Sequence, residues 1–144
     1  MKNCIRRYTE ADINQVIDIW YKASKLAHPF LSSTFLKLEE KKIREIYIPD
    51  TSTWVYDSGT DLDGFISMMD NEVGAIFVKP EKHGQGIGRA LMDHVRSMHR
   101  ELEVEVFEGN AIGRSFYDKY GFKIVGEGVH EETGQNALRM KLSS

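Results

Sequence analysis

The chain has 144 residues, 41% hydrophobic and 28% charged, with a formal net charge of −3. That length suits one domain spanning 1–144, large enough to bury roughly two-thirds of its unfolded surface, and the acidic balance gives no electrostatic footprint for nucleic acid. Cys4 is the only cysteine, which excludes an internal disulfide and a thiolate metal site; no apolar run reaches about 18 residues, so no membrane span is expected; and MKNCIRRYTE lacks the apolar core of a secretory leader, making the cytoplasm the expected compartment.

Cys4 to Arg7 is a short strand candidate. Thr9 can cap the next segment, with Asp12 as an acidic N3 residue. Ile13, Val16, Ile17 and Trp20 then recur at helical spacing, which predicts a helix over 10–25. His28-Pro29 breaks the chain, and Ser33 to Ile48 reads as a second helix with Leu36, Ile43 and Tyr47 on its apolar face. Its charged run Glu39-Glu40-Lys41-Lys42 reads as a solvated face. The period then changes to strands at Thr53–Tyr56, Leu62–Met69 and Glu72–Val78, with short polar links that argue for antiparallel hairpins.

Gln85 to His99 carries Ile87, Leu91, Val95 and Met98 on one helical stripe. Leu102, Val104 and Val106 alternate with Glu101, Glu103 and Glu105, the pattern of a half-buried strand. The order strand, helix, strand over 72–107 requires a crossover that joins parallel strands. A further helix is expected over about 111–119, then strands at Phe122–Gly126 and Ala137–Leu142. The final strand could form an exposed edge for a second subunit, so a monomer or a homodimer is expected. Together these elements predict an α/β domain. Its sheet is mixed, mostly antiparallel and six- or seven-stranded, is flanked by about four helices, and has one parallel pair at its centre.

Ile76 to Gly88 reads IFVKPEKHGQGIG: a strand, a proline, three glycines within five residues and the start of a helix. Backbone N–H groups at such a helix start suit a phosphate. A P-loop would need Lys and Ser or Thr after its last glycine, and Gly88 has Arg89-Ala90. A dinucleotide fingerprint would need a third glycine after Gly86-Ile87-Gly88, and Leu91 stands there. The loop is therefore a different phosphate cradle, or a tight turn with no ligand.

His83-Gly84-Gln85-Gly86-Ile87-Gly88 resembles the signature Arg/Gln-x-x-Gly-x-Gly/Ala of the GCN5-related N-acetyltransferase (GNAT) family, as do the flanking Val78-Lys79-Pro80 and Arg89-Ala90-Leu91. A second block, Asn110 followed by Ser115-Phe116-Tyr117-Asp118-Lys119-Tyr120-Gly121-Phe122, stands at family spacing. The resemblance implies an enzyme that takes an acetyl group from acetyl-coenzyme A to a primary amine of a small molecule or a protein. It implies pyrophosphate on the N–H groups of about 84–89, and pantetheine along Ile76, Phe77 and Val78 and near Asn110. His83 departs from the family's Arg or Gln at a position near the pyrophosphate, which implies modestly weaker binding of coenzyme A. The helix N-cap that Asn110 also supplies would by itself explain that residue.

The resemblance also implies Tyr117 as the general acid for the departing sulfur, with Tyr120 as the neighbouring alternative. The base that takes the amine proton is left open among Glu72, Glu103, Glu105, His28, His130 and a water. His28, Phe30 and Leu31 stand where the family shapes its acceptor pocket. No GxSxG elbow is present, and His94 and His99 lack an HExxH context, so neither a serine hydrolase nor a zinc site is expected. The competing readings are a non-catalytic acyl-coenzyme A binding or sensing module, and a toxin or structural interaction domain that binds no coenzyme.

Overall fold

The computed structural model describes residues 4–143; residues 1–3 and 144, the ends of the expected domain and the start of the stretch read for a leader, lie outside the described residues. Among the described residues seven strands form one sheet in the order β1-β2-β3-β4-β5-β7-β6. They are β1 Cys4–Arg7, β2 Ser52–Asp57, β3 Leu62–Met69, β4 Glu72–Val78, β5 Glu101–Phe107, β6 Lys123–Val129 and β7 Asn136–Ser143. The helices are α1 Ile13–Ala27, α2 Ser33–Lys42, a short α3 Ile48–Asp50, α4 Ile87–Arg96 and α5 Ala111–Tyr120. All neighbouring strands are antiparallel except β4 and β5, which supply the expected parallel pair.

Alternation along the central strands puts apolar residues on both faces of the sheet. Phe65 and Val55 pack with Val16, Ile19 and Trp20 of α1 and Leu36 of α2. Ile66, Val104 and Met140 pack on the other face with Leu91 and Val95 of α4 and Tyr117 of α5. The Thr9–Asp12 cap forms as read, and Arg6 fixes the same carboxylate through two hydrogen bonds of 2.9 Å.

Four expectations change. The second helix is not continuous over 33–48: α2 ends at Lys42, and 43–47 widens into a π-turn in which the Ile48 N–H bonds Ile43 C=O. Pro49 lies just beyond, and a proline ring clashes with the carbonyl four residues earlier, so the chain loosens there. Tyr47, expected on the packing face, is half-exposed. Helix α4 is shorter than 85–99. Gly86 is left-handed (φ 83°) and stays outside it, and at the other end Ser97 Oγ donates to the His94 carbonyl at 2.6 Å. Met98 therefore leaves the stripe and is exposed. The fourth change is topological. β7 lies inside the sheet between β5 and β6, so the exposed outer strand on that side is β6, with β1 at the opposite edge.

The feature that positions the site is the short parallel pairing. β4 and β5 share only the rungs Glu72–Glu103 and Val73–Val104. Opposite β3, Gly74 is an extra residue between Val73, which faces Met68, and Ala75, which faces Ser67. Such a bulge bends its strand, and here it sits where β4 leaves β5. The rest of β4, residues 74–78, therefore has an edge free of β5.

Candidate active site

A cavity of about 790 Å³ occupies the gap between the parted strands. Residues 74–78 of β4 form one flank and residues 104–107 of β5 the other, with α1 and α2 at one end and the glycine loop with α4 and α5 at the other. Of the residues singled out by sequence, Glu72, Ile76, Phe77, Val78, His83, Gly84, Gly86, Ile87, Gly88, Arg89, Asn110, Tyr117, His28, Leu31, Glu105 and His130 all line it. Gln85, Phe30 and Glu103 do not.

The three loop glycines differ. Gly84 and Gly86 have φ of +80° and +83°, and a Cβ added at either would meet no atom within 4 Å. They are glycine for backbone conformation. A Cβ at Gly88 would come within 3.2 Å of Phe116 Cε1, so that glycine lets α4 approach α5. Gly86 is the N-cap of α4 and has no side-chain cap, which leaves first-turn N–H groups facing the cavity end. Lys82 and Arg89 add positive charge beside them. His83 turns back along the loop, its Nε2 2.9 Å from the Val78 carbonyl. A carbonyl only accepts, so that nitrogen carries the proton.

The two tyrosines of α5 are chemically distinct. Tyr120 donates its hydroxyl to Asp93 of α4. Tyr117 is 7% exposed and wedged between Phe116 and Phe122 with ring centroids at 5.6 and 5.5 Å. Among the described residues its hydroxyl has no hydrogen-bond partner. Burial raises its pKa above the ordinary phenol range, so it is a proton donor and not a base at neutral pH.

At the other end His28 is 9% exposed. Its ring meets Phe30, Phe77 and Phe107 edge-on at 5.8, 6.4 and 5.1 Å, and its Nε2 lies 3.1 Å from Asn110 Nδ2. Burial lowers its pKa from 6.5 to about 4. Because the unfolded state then binds the extra proton first, stability falls as pH drops through that window. Denaturant unfolding at pH 7 and pH 5 should show about 2 kcal/mol lost from this group, before most carboxylates titrate. His28→Gln should remove that loss. Equal losses in both proteins would contradict a buried neutral imidazole.

Glu72 and Glu103, two candidate bases, share Arg139 at 3.1 and 3.5 Å. Glu105 lines the cavity, and His130 stacks edge-on at 5.1 Å against Phe107 with Nδ1 3.0 Å from Thr133 Oγ1. Sequence reasoning missed Glu39. Read as part of a solvated face, it lines the cavity, is tied to Lys42 at 3.4 Å, and has a carboxyl pKa raised by burial. It lies three residues after the buried Leu36, so helical spacing could have placed it beside the packed face. Carboxylates Glu39, Glu72 and Glu105 thus line the cavity.

The sequence model of the acetyltransferase (GNAT) domain matches residues 2–144. The peptidyl-lysine N-acetyltransferase YiaC of Escherichia coli is 30% identical over 90% of this chain and 89% of its own. The peptidyl-lysine N-acetyltransferase YjaB of the same organism is 31% identical over 91% and 89%. The solution structure of apo YjaB superimposes with a TM-score of 0.88, covering 98% of this chain and 97% of that one at 29% identity. The PaiA N-acetyltransferase of Thermoplasma acidophilum, solved in complex with coenzyme A, has the same fold, with a TM-score of 0.82 and 20% identity over the whole of both chains.

Proposed function

Because this chain belongs to the acetyltransferase (GNAT) family, we propose that it is an acetyl-coenzyme A-dependent N-acetyltransferase whose acceptor is the side-chain amine of a peptidyl lysine. The observation that carries the reaction is the unpartnered Tyr117 hydroxyl in a cavity that ends at a cationic, glycine-lined helix start. The acceptor class rests on the peptidyl-lysine names of two relatives about 30% identical.

The residues present fit coenzyme A. Gly84 and Gly86 leave open space where a Cβ would stand, and the edge of 74–78 is free of β5. First-turn N–H groups of α4, with Lys82 and Arg89, would hold the pyrophosphate. The backbone of Ile76, Phe77 and Val78 would take the pantetheine amides as an added strand does. When bound, acetyl-coenzyme A supplies an acetyl thioester for direct transfer to an amine. Tyr117 gives its proton to the sulfur side of that reaction. Glu105, a lining carboxylate with no ion pair among the described residues, favours a cationic acceptor, and Glu105, His130 or a water takes the proton the amine must lose. Orientation of the two reactants in one cavity supplies much of the rate.

The test is a calorimetric titration with acetyl-coenzyme A, followed by assay of free thiol release with a lysine-containing peptide. Saturable binding and thiol release that stops when the lysine is replaced by norleucine are expected. Binding without release across peptides and small amines would mean a sensing module. Release with small amines alone would move the acceptor class.

A further inference from the structure

We propose that His28 is a positioning residue: it fixes the Asn110 carboxamide and braces the two parted strands against each other at the open end of the cavity. This rests on the reading of that cavity as an acetyl-transfer site.

Asn110 caps α5, and its Oδ1 accepts from the Gly113 N–H at 2.8 Å. That bond sets which way the carboxamide faces, because the opposite orientation would put two donors together. Nδ2 therefore faces His28 Nε2, 3.1 Å away. An amide nitrogen only donates, so Nε2 is the acceptor and the imidazole proton sits on Nδ1. Capping needs Oδ1 alone, and Ser or Asp would serve as well. The bond from Nδ2 is a separate provision. It links residues 82 apart in sequence and joins the α1–α2 connection to the β5–α5 loop.

The same imidazole touches both flanks of the gap. Phe77 belongs to β4, and Phe107 ends β5. These strands share no rung beyond Val73–Val104, so their separation at Phe77 and Phe107 is set by what stands between them. His28 stands there. A second contact fastens the same connection. Phe30 lies on the backbone of Gly109, where an added Cβ would come within 2.8 Å of Phe30 Cε1. The connection at 28–30 is thus held to 107–110 by a hydrogen bond and by packing. The neighbouring Leu31 lines the cavity. Asn110 and the acceptor-side wall are consequently one mechanical unit.

The experiment compares wild type, His28→Ala, His28→Gln, Asn110→Ser and the His28→Ala/Asn110→Ser double variant. Each is titrated with coenzyme A and assayed by thiol release. The imidazole nitrogens are also read by ¹⁵N NMR without ligand. His28→Ala should weaken coenzyme A about tenfold, the upper end of what one buried hydrogen bond contributes. Glutamine, whose Oε1 can accept from Asn110 Nδ2, should recover most of it. Asn110→Ser keeps the cap and loses the link, and the double variant should bind no worse than Asn110→Ser alone. The NMR spectrum should show the proton on Nδ1, with Nε2 shifting when Asn110 becomes Ser. Equal impairment of His28→Gln and His28→Ala, additive losses in the double variant, or a proton on Nε2 would overturn the proposal. Should His28→Ala not fold, His28→Gln, Asn110→Ser and the spectrum still decide. Absence of coenzyme binding by wild type would overturn the acetyl-transfer reading, while the Nε2 response to Asn110→Ser would still establish the link.

Discussion

Tyr117→Phe is expected to lower turnover about a hundredfold, the low end of what a general acid contributes, with coenzyme A affinity nearly unchanged. The ring stays where Phe116 and Phe122 hold it, and only the hydroxyl is lost. Among the described residues that hydroxyl has no partner, so its removal breaks no hydrogen bond of the folded protein and should barely move stability. Tyr120→Phe is the matched control. It removes a hydroxyl that serves Asp93, and turnover should stay within about twofold because that bond lies between helices. A raised pKa keeps Tyr117 protonated across the neutral range, so the wild-type rate should show no loss from its ionisation up to about pH 9. Steady-state thiol release at saturating substrate measures both effects. Unchanged turnover in Tyr117→Phe would remove the residue from the chemistry.

Gly86→Val should abolish measurable coenzyme A binding, a loss of at least about a hundredfold, while the protein remains folded. At φ 83° a β-branched residue is strained by roughly 1–2 kcal/mol or more. The chain relieves that strain by turning the residue to negative φ, which re-aims the N–H groups at the start of α4. Crowding inside the protein is not the cause, since a Cβ at Gly86 meets nothing within 4 Å. Gly88→Ala separates the two ideas. Its φ is not positive, but its Cβ would press Phe116 at 3.2 Å, so its effect should fall on stability and on the α4–α5 contact. Calorimetric titration beside thermal unfolding tells these outcomes apart. Tight binding by Gly86→Val would mean that the loop conformation does not serve the donor.

Most elements were legible because their signals are local. Leu102, Val104 and Val106 alternate, and all three are buried on β5. Ile87, Leu91 and Val95 recur at four, and all three are buried on α4. The glycine loop was legible from its spacing and Tyr117 from the family resemblance; the cavity is lined by the loop and by both Tyr117 and Tyr120. What stayed hidden depends on distant chain. β7 gave no sign that it would insert between β5 and β6, because strand order leaves no trace in the period of a single strand. Glu39 looked solvated until the cavity formed beside α2. The His28–Asn110 bond spans 82 residues, beyond any periodic pattern. The glycines read alike in sequence, and only the neighbourhood of Phe116 sets Gly88 apart from Gly84 and Gly86.

The two-rung junction between β4 and β5 makes the sheet two leaves on a narrow spine: β1 to β4 on one side, β5, β7 and β6 on the other. A molecule that bonds along 74–78 does more than occupy a hole. It adds backbone cross-links to the side-chain brace that His28 already makes between Phe77 and Phe107, so the two leaves become a stiffer body while it is present. The Lys79 N–H bonds the Asp63 carbonyl, so by alternation Ala75 and Phe77 bond β3 and only Ile76 and Val78 turn their N–H groups to the gap. Slow amide exchange at those two should therefore appear on loading and vanish on release.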